Sequence, residues 1–285
     1  MATEGAKVAN RYGYAYMAGS GGVETLFGLN LHNLFLVSLP LKQYLTSFTD
    51  FILSLPQAQR PKTVSYVLSD TPLAQQTIAI AKDKLEKGGL QTALFDTYQE
   101  ETTDFNPIAQ KIIQAKPDVV ILGSELTACV GIIRAFKQQH FLPKAIISVA
   151  GPDQGSDFAK PIGGNQAAEG VFVPNDSWAY NSKNYQNDQF TKDYVAQYGG
   201  RVQDISSDTV QGFSIGQVTE QAVNKIHSID NAKLIDELHN DTFNSLQGPV
   251  KFSARGENTI EVPYLFQWQK GSLAVVYPSS RLLLE

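Results

Sequence analysis

The segment from Lys116 to Gln138 constrains this chain most, because its hydrophobic period changes once, at a turn. Pro117 and Asp118 interrupt what precedes them. Val119–Leu122 is then an apolar run too short for a helix and rich in β-branched side chains, as expected of a strand buried on both faces. Gly123, Ser124 and Glu125 turn the chain. From Leu126 the apolar residues recur at three- and four-residue steps (Cys129 and Val130, Ile133, Phe136), while Arg134, Lys137 and Gln138 fall elsewhere; that spacing predicts an amphipathic helix. Strand, polar turn and helix make half of a βαβ unit. In open parallel sheets ligands bind at the carboxyl ends of the strands, so Ser124 and Glu125 become candidates for contact with a small molecule.

The rhythm continues in both directions. Leu41, Leu45, Phe48 and Ile52 form a helix face, and Thr63–Leu68 reads as a strand. The polar turn Ser69–Thr71 leads to Pro72 at a helix's first position, with Ala74, Ile78, Ala81 and Leu85 as its stripe. Thr92–Phe95 is the next strand. Asn106 reads as an N-cap with Pro107 at N1, and Ala145–Val149 as a further strand. Strands thus recur about every 27 residues with a helix between each pair, the signature of an α/β doubly wound parallel sheet. The start is anomalous. Thr3 is placed to cap a helix through Tyr12, followed by strands at Tyr14–Ala18 and Leu34–Leu39, and that first helix has no strand ahead of it. After the loop Gly151–Gly164 and a brief strand at Gly170–Val173, helices take over (Phe190/Tyr194/Tyr198, Val210–Ile226, Leu234/Leu238). The tail from Val250 to Val276 is β again. Ile260, Val262, Tyr264, Phe266 and Trp268 alternate strictly, and Gln269–Ser272 suits a hairpin turn.

A chain of 285 residues suits two lobes. Its net charge of −5 and lack of a Lys/Arg cluster argue against nucleic acid. No apolar run approaches the ~20 residues that span a bilayer, and the first residues lack a signal-peptide pattern. The single cysteine, Cys129, falls on an apolar helix face and reads as a structural thiol.

Other motifs carry competing readings. Gly212, Ser214 and Gly216 match G-x-S-x-G, with Asp236 and His239 following in hydrolase order, but the mechanism needs that serine directly after a strand. Here Val210, Phe213, Val218, Ala222 and Ile226 suit a packed helix. His32, His140, His227 and His239 lack zinc-ligand spacing, and no cofactor is implied. Gly19–Gly22 lacks the dinucleotide pattern and a Walker lysine. It is either a tight turn or a loop whose backbone N–H groups receive an anion. Glu125 is either solvated or holds an ammonium group. Trp178 is either a pocket lid or a surface aromatic in a hinge.

Taken in order, VANRYGYAYMAGSGG, TDFNPIAQKIIQAKPDVVILG, AAEGVFVPNDSW, GPVKFSARGEN and FQWQKGSLAVVYP resemble the substrate-binding proteins of branched-chain amino-acid-type ABC transporters, of the type I periplasmic binding fold. The resemblance implies two doubly wound lobes joined by a three-strand hinge, with crossings near Leu36–Pro40, Val173–Trp178 and Tyr264–Phe266. It places 1–40 with 176–265 in the first lobe and 41–175 with 266–285 in the second. It implies a non-enzymatic solute binder, for an amino acid or amide, held in an interlobe cleft and delivered to a permease. Ser20, Gly21 and Gly22 would receive a carboxylate; relatives often carry a hydroxyl at the last of these. Leu73 stands where relatives often carry an aromatic residue. Glu125, Gly151, Asp153, Trp178 and Asp208 complete the implied site. A periplasmic or extracellular, membrane-associated location follows from the same likeness, as does an alternative role as a ligand sensor reporting to a regulator. The likeness further implies that the first lobe lacks its opening strand–helix units, leaving sheet edges that invite self-association.

Overall fold

The computed structural model describes residues 2–175 and 178–278. The chain forms two compact units, residues 1–41 with 176–263 and residues 42–175 with 264–285, and passes between them at 41/42, 175/176 and 263/264.

The first unit opens with α1 (Ala2–Arg11), β1 (Tyr16–Ala18), α2 (Glu24–Phe27) and β2 (Leu34–Leu36). β1 and β2 run parallel, with Tyr16 opposite Leu34 and Ala18 opposite Leu36. Both strands are shorter than their sequences predict, because side chains take over the backbone groups just outside them. The Ala15 N–H donates to Asn231 Oδ1 (3.0 Å) and the Tyr14 carbonyl accepts from Asn33 Nδ2 (2.7 Å). Asn258 Nδ2 donates to the Val37 carbonyl (2.8 Å). Thr3 lies inside α1, not at its cap, and Tyr12 follows the helix and is exposed.

The second unit continues with α3 (Thr46–Ser54), β3 (Thr63–Ser69), α4 (Pro72–Lys87), β4 (Gln91–Tyr98), α5 (Asn106–Ala115), β5 (Val119–Gly123), α6 (Leu126–Gln138) and β6 (Ala145–Ser148). A short helix, α7 (Ser156–Ala159), interrupts the expected loop, and another, α8 (Asn165–Ala168), follows it before β7 (Val171–Asn175). The first unit resumes with α9 (Asn187–Tyr198), α10 (Ser207–Ile226), α11 (Asn231–Asn240) and the hairpin β8 (Phe243–Ser245) and β9 (Gly248–Val250). β10 (Tyr264–Gln269) and β11 (Ser272–Tyr277) return to the second unit.

The large sheet is ordered β11-β10-β7-β6-β5-β3-β4. Its members from β7 to β4 are parallel, while β10 runs antiparallel to β7 and β11. β5 is buried along its whole length, as its unbroken apolar run requires, whereas the edge strand β4 alternates between more and less exposed residues. Ala74, Ile78, Ala81 and Leu85 of α4 are buried against β3 and β5. Thr71 caps α4 by accepting from the Ala74 N–H (3.3 Å), and Pro72 opens it. α5 departs from expectation: Phe105 takes the cap position, and Asp104 Oδ1 accepts from both the backbone N–H and Nδ2 of Asn106 (3.0 Å each). Burial of the Phe105 ring draws it to the helix end.

The strict alternation of the tail extends too far as a prediction. Ile260 and Val262 are 38 % and 39 % exposed and lie outside β10. Asn258 Oδ1 accepts from the N–H groups of Lys251 and Ile260 (3.3 Å each), which folds this stretch into a turn, and Pro263 has no N–H to join a ladder. The β10–β11 hairpin turns through Lys270 and Gly271, both at positive φ (51° and 78°), as a tight two-residue turn requires.

Gly256 supports the outer side of β2. Its carbonyl accepts from the Leu36 N–H (2.7 Å), its φ is +85°, and a Cβ there would overlap the Leu34 carbonyl. Gly248 has a similar positive φ (+103°) but open space around it. Gly256→Ala is therefore expected to cost about 3 kcal/mol or more in urea denaturation, against about 1–2 kcal/mol for Gly248→Ala; equal costs would show that the close contact is unimportant. Cys129 is wholly buried, and burial pushes its thiol up to about 12, with the Asp153 charge adding to this and a hydrogen bond to Ser148 opposing it. The thiol thus stays protonated well above the ordinary range of about 8.5. An aromatic disulfide reagent near pH 8 is expected to leave Cys129 unlabelled until urea unfolds the chain; labelling of the folded protein would contradict this burial.

Candidate functional site

In the second unit the parallel strands end together, and three neighbours close on serine. Ser69 ends β3, Ser124 follows β5 and Ser148 ends β6, all buried. Ser69 Oγ lies 3.1 Å from Thr71 Oγ1 and donates to the Gly123 carbonyl (3.3 Å). Ser148 Oγ donates to the Ser124 carbonyl (3.1 Å). Tyr98, from the end of β4, places its Oη 2.6 Å from Ser124 Oγ. Burial pushes the Tyr98 phenol up to about 12 against the opposing Ser124 hydrogen bond, so it is neutral and able to donate or accept. Tyr98, Ser69 and Ser148 were not singled out by the sequence, although a serine at each strand end was there to be read.

The expected residues of this unit sit around that serine row. Glu125 is exposed at the start of α6, and Leu73 is half-buried in the first turn of α4, packed on the core. Asp153 Oδ1 accepts from the Gly151 N–H (3.0 Å), which bends the loop after β6 back on itself. Gly151 is buried against Leu126 and Cys129, so it acts through its backbone.

In the first unit, Ser20 and Asp208 line one hollow of ≈ 460 Å³, with Tyr16, Met17, Ala18, Gly19, Gln211 and Gly212. The hollow joins the carboxyl end of β1 to the first turns of α10. Ser206 caps α10 by accepting from the Thr209 N–H (3.3 Å), and the Asp208 carboxylate sits favourably in the positive first turn. Gly21 adopts φ +82°. Gly22 is buried, and a Cβ there would overlap a Leu36 methyl, so the hydroxyl that the resemblance leads one to expect would require Leu36 to shift.

Trp178 is neither lid nor surface aromatic. It is 6 % exposed, packs with Phe190, Ile205, Val210 and Leu246, and donates through Nε1 to Asn187 Oδ1 (2.7 Å). Asn187 in turn donates to the carbonyls of Tyr180 and Ser182 (2.9 and 3.0 Å). The indole anchors the start of α9 and leaves almost no surface for a solute. The serine-hydrolase motif likewise fails on geometry: Ser214 lies in the interior of the 20-residue α10, fully buried, with no strand leading into it. His239 stacks on His32 (centroids 4.3 Å apart), a pairing across 207 positions that no local spacing announces. No cluster of three or more metal-ligating side chains occurs among the described residues. No described helix is long and apolar enough to cross a membrane.

Comparison with known proteins places this arrangement. A family model described as periplasmic binding protein matches residues 2–272. A solute-binding protein of an ABC transporter from R. palustris, solved with benzoate, superposes with TM-score 0.78 at 18 % identity, over 95 % of this chain and 72 % of that one. An amino acid ABC transporter substrate-binding protein from Pseudomonas fluorescens Pf-5 gives 0.79 at 15 % identity, over 96 % and 74 %. A leucine-binding protein from Thermotoga maritima gives 0.76 at 16 %, over 96 % and 76 %. The chain belongs to the periplasmic binding protein family, with the type I fold of ABC-transporter solute-binding proteins.

Proposed function

We propose that this chain binds a small amino acid or amide, without enzymatic chemistry, and delivers it to the permease of an ABC transporter on the outer side of the membrane. The observation that carries this reading is the hollow that brings Ser20 and Asp208 together at the end of β1. Such a placement at the carboxyl ends of parallel strands is where open α/β sheets take ligands. The neighbours named above include a benzoate complex and a leucine-binding protein, and both ligands carry a carboxylate. In this chain the backbone at Ser20, Gly21 and Gly22 is assigned to a carboxylate. Asp208, Glu125 and Asp153 supply negative charge, which favours a solute that also carries an ammonium group over a plain aromatic acid. Leu73 is assigned to the side chain, and Gly151 shapes the loop after β6 against Leu126 and Cys129. Trp178 leaves the set because its ring and its N–H are used within its own unit.

Thermal shift and calorimetry with a panel of amino acids, their amides and benzoate test the reading. An amino acid or amide is expected to bind. Asp208→Ala and Glu125→Ala are each expected to weaken it about tenfold, which corresponds to ~1.4 kcal/mol, while the fold is retained. A panel with no response, or benzoate binding alone, would remove the assignment.

We further propose that the chain self-associates through β1. Among the described residues β1 pairs only with β2, whereas the other side of β2 is bonded by Leu36 to Gly256. An unpaired strand edge templates pairing with another chain. Light scattering is expected to report a dimer or larger species; a monodisperse monomer over a wide concentration range would refute it.

A further inference from the structure

A second hollow lies within the first unit, between α9 and α10, with a volume of ≈ 560 Å³. That volume falls in the range of small-molecule sites. Two rows of side chains run along α9 at four-residue spacing, which places successive members about 6 Å apart on one face. One row is aromatic: Phe190, Tyr194, Tyr198. The other is polar: Gln189, Asp193, Gln197. Phe213 of α10 continues the aromatic row, with ring centroids 4.7 Å from Phe190, then 5.8 Å from Phe190 to Tyr194 and 4.8 Å from Tyr194 to Tyr198. The ends of the ladder face solvent, Phe213 at 45 % and Tyr198 at 72 % exposure. Phe190 between them is buried and backs the wall, so the ring surface offered to a ligand is that of Phe213 and Tyr198 with the half-buried Tyr194, and exposed aromatic surface of this kind marks an interaction site. The polar row is held in place: Gln189 Nε2 donates to both Asp193 oxygens (2.7 Å each), and Gln217 Nε2 donates to Gln186 Oε1 (3.1 Å) at the end of the hollow.

We propose that this hollow binds a neutral saccharide. A pyranose ring offers apolar C–H faces and a rim of hydroxyls, each both donor and acceptor. Aromatic faces beside two carboxamides, Gln189 and Gln197, and the Asp193 carboxylate match both features, because an amide side chain donates and accepts while a carboxylate accepts from hydroxyls. The charge balance argues against an anion: among the described residues no Lys or Arg lines the hollow, and Asp193 would repel one. A quaternary ammonium group needs rings within about 6 Å on several sides. Here the rings form a ladder along one wall, and the ring of Phe190 is buried.

Saturation-transfer NMR on the full chain, with maltose, cellobiose, N,N′-diacetylchitobiose, tetramethylammonium and leucine as separate probes, tests this assignment. At least one saccharide is expected to bind with a Kd of about 1 mM or tighter. Phe213→Ala and Tyr198→Ala change exposed side chains, and circular dichroism is expected to show an unaltered fold. Each is expected to weaken the saccharide about fivefold, as loss of one stacking face predicts, and to leave leucine unaffected. Leucine reads the solute site and the saccharides read this hollow, so the two proposals fail separately. The saccharide assignment is overturned if no saccharide shows transfer at about 10 mM, if transfer survives both substitutions, or if tetramethylammonium alone responds.

Discussion

The second unit depends on β5 being dry on both faces. All five of its residues are buried, and its backbone groups are paired on one side with β3 and on the other with β6. A buried strand whose N–H and C=O groups lacked such partners would cost more than its apolar side chains return. The parallel ladder is therefore a condition for burying this run at all, and each apolar side chain then contributes about 1.5–3 kcal/mol. Because β3 to β7 are parallel, their carboxyl ends meet at one edge. The serine row, Tyr98 and the loop bearing Asp153 are collected there by the same arrangement that closes the core.

The first unit solves a different problem with fewer strands. Its parallel pair, three residues in each strand, is too small to stand alone. It is held by side chains that bond backbone from a distance in sequence: Asn231 to Ala15, Asn33 to Tyr14 and Asn258 to Val37. The long α10 packs Val218 and Ala222 with Phe35 and Val37 of the β2 region. Its first turn carries Asp208 to the hollow that Ser20 also lines. Asn187 does comparable work on the other side of the unit by fixing Trp178 and two carbonyls at once.

Local periodicity made most of the second unit legible. The stripe Ala74, Ile78, Ala81 and Leu85 and the uniform run at β5 each report burial directly, because period and burial have one cause there. The errors fall where a side chain within ten residues made a specific hydrogen bond that hydrophobic period does not report. Asp104 displaced Asn106 from its cap role, Asn258 turned the alternating tail away from a strand, and the Asn187 pairing took Trp178 out of the solute set. None of those partners is signalled by spacing.

The sequence by itself determined the strand–helix alternation, the polar turns at strand ends, the place of Cys129 in the core and the family likeness, because each depends on neighbours a few residues apart. The tertiary structure alone decided which of those turns share a surface. It joined Ser20 to Asp208 across nearly two hundred residues, brought Tyr98 to Ser124, and aligned the rings of α9 with Phe213. Such pairings follow from how whole elements pack, and no stretch of chain short enough to show a period carries that information.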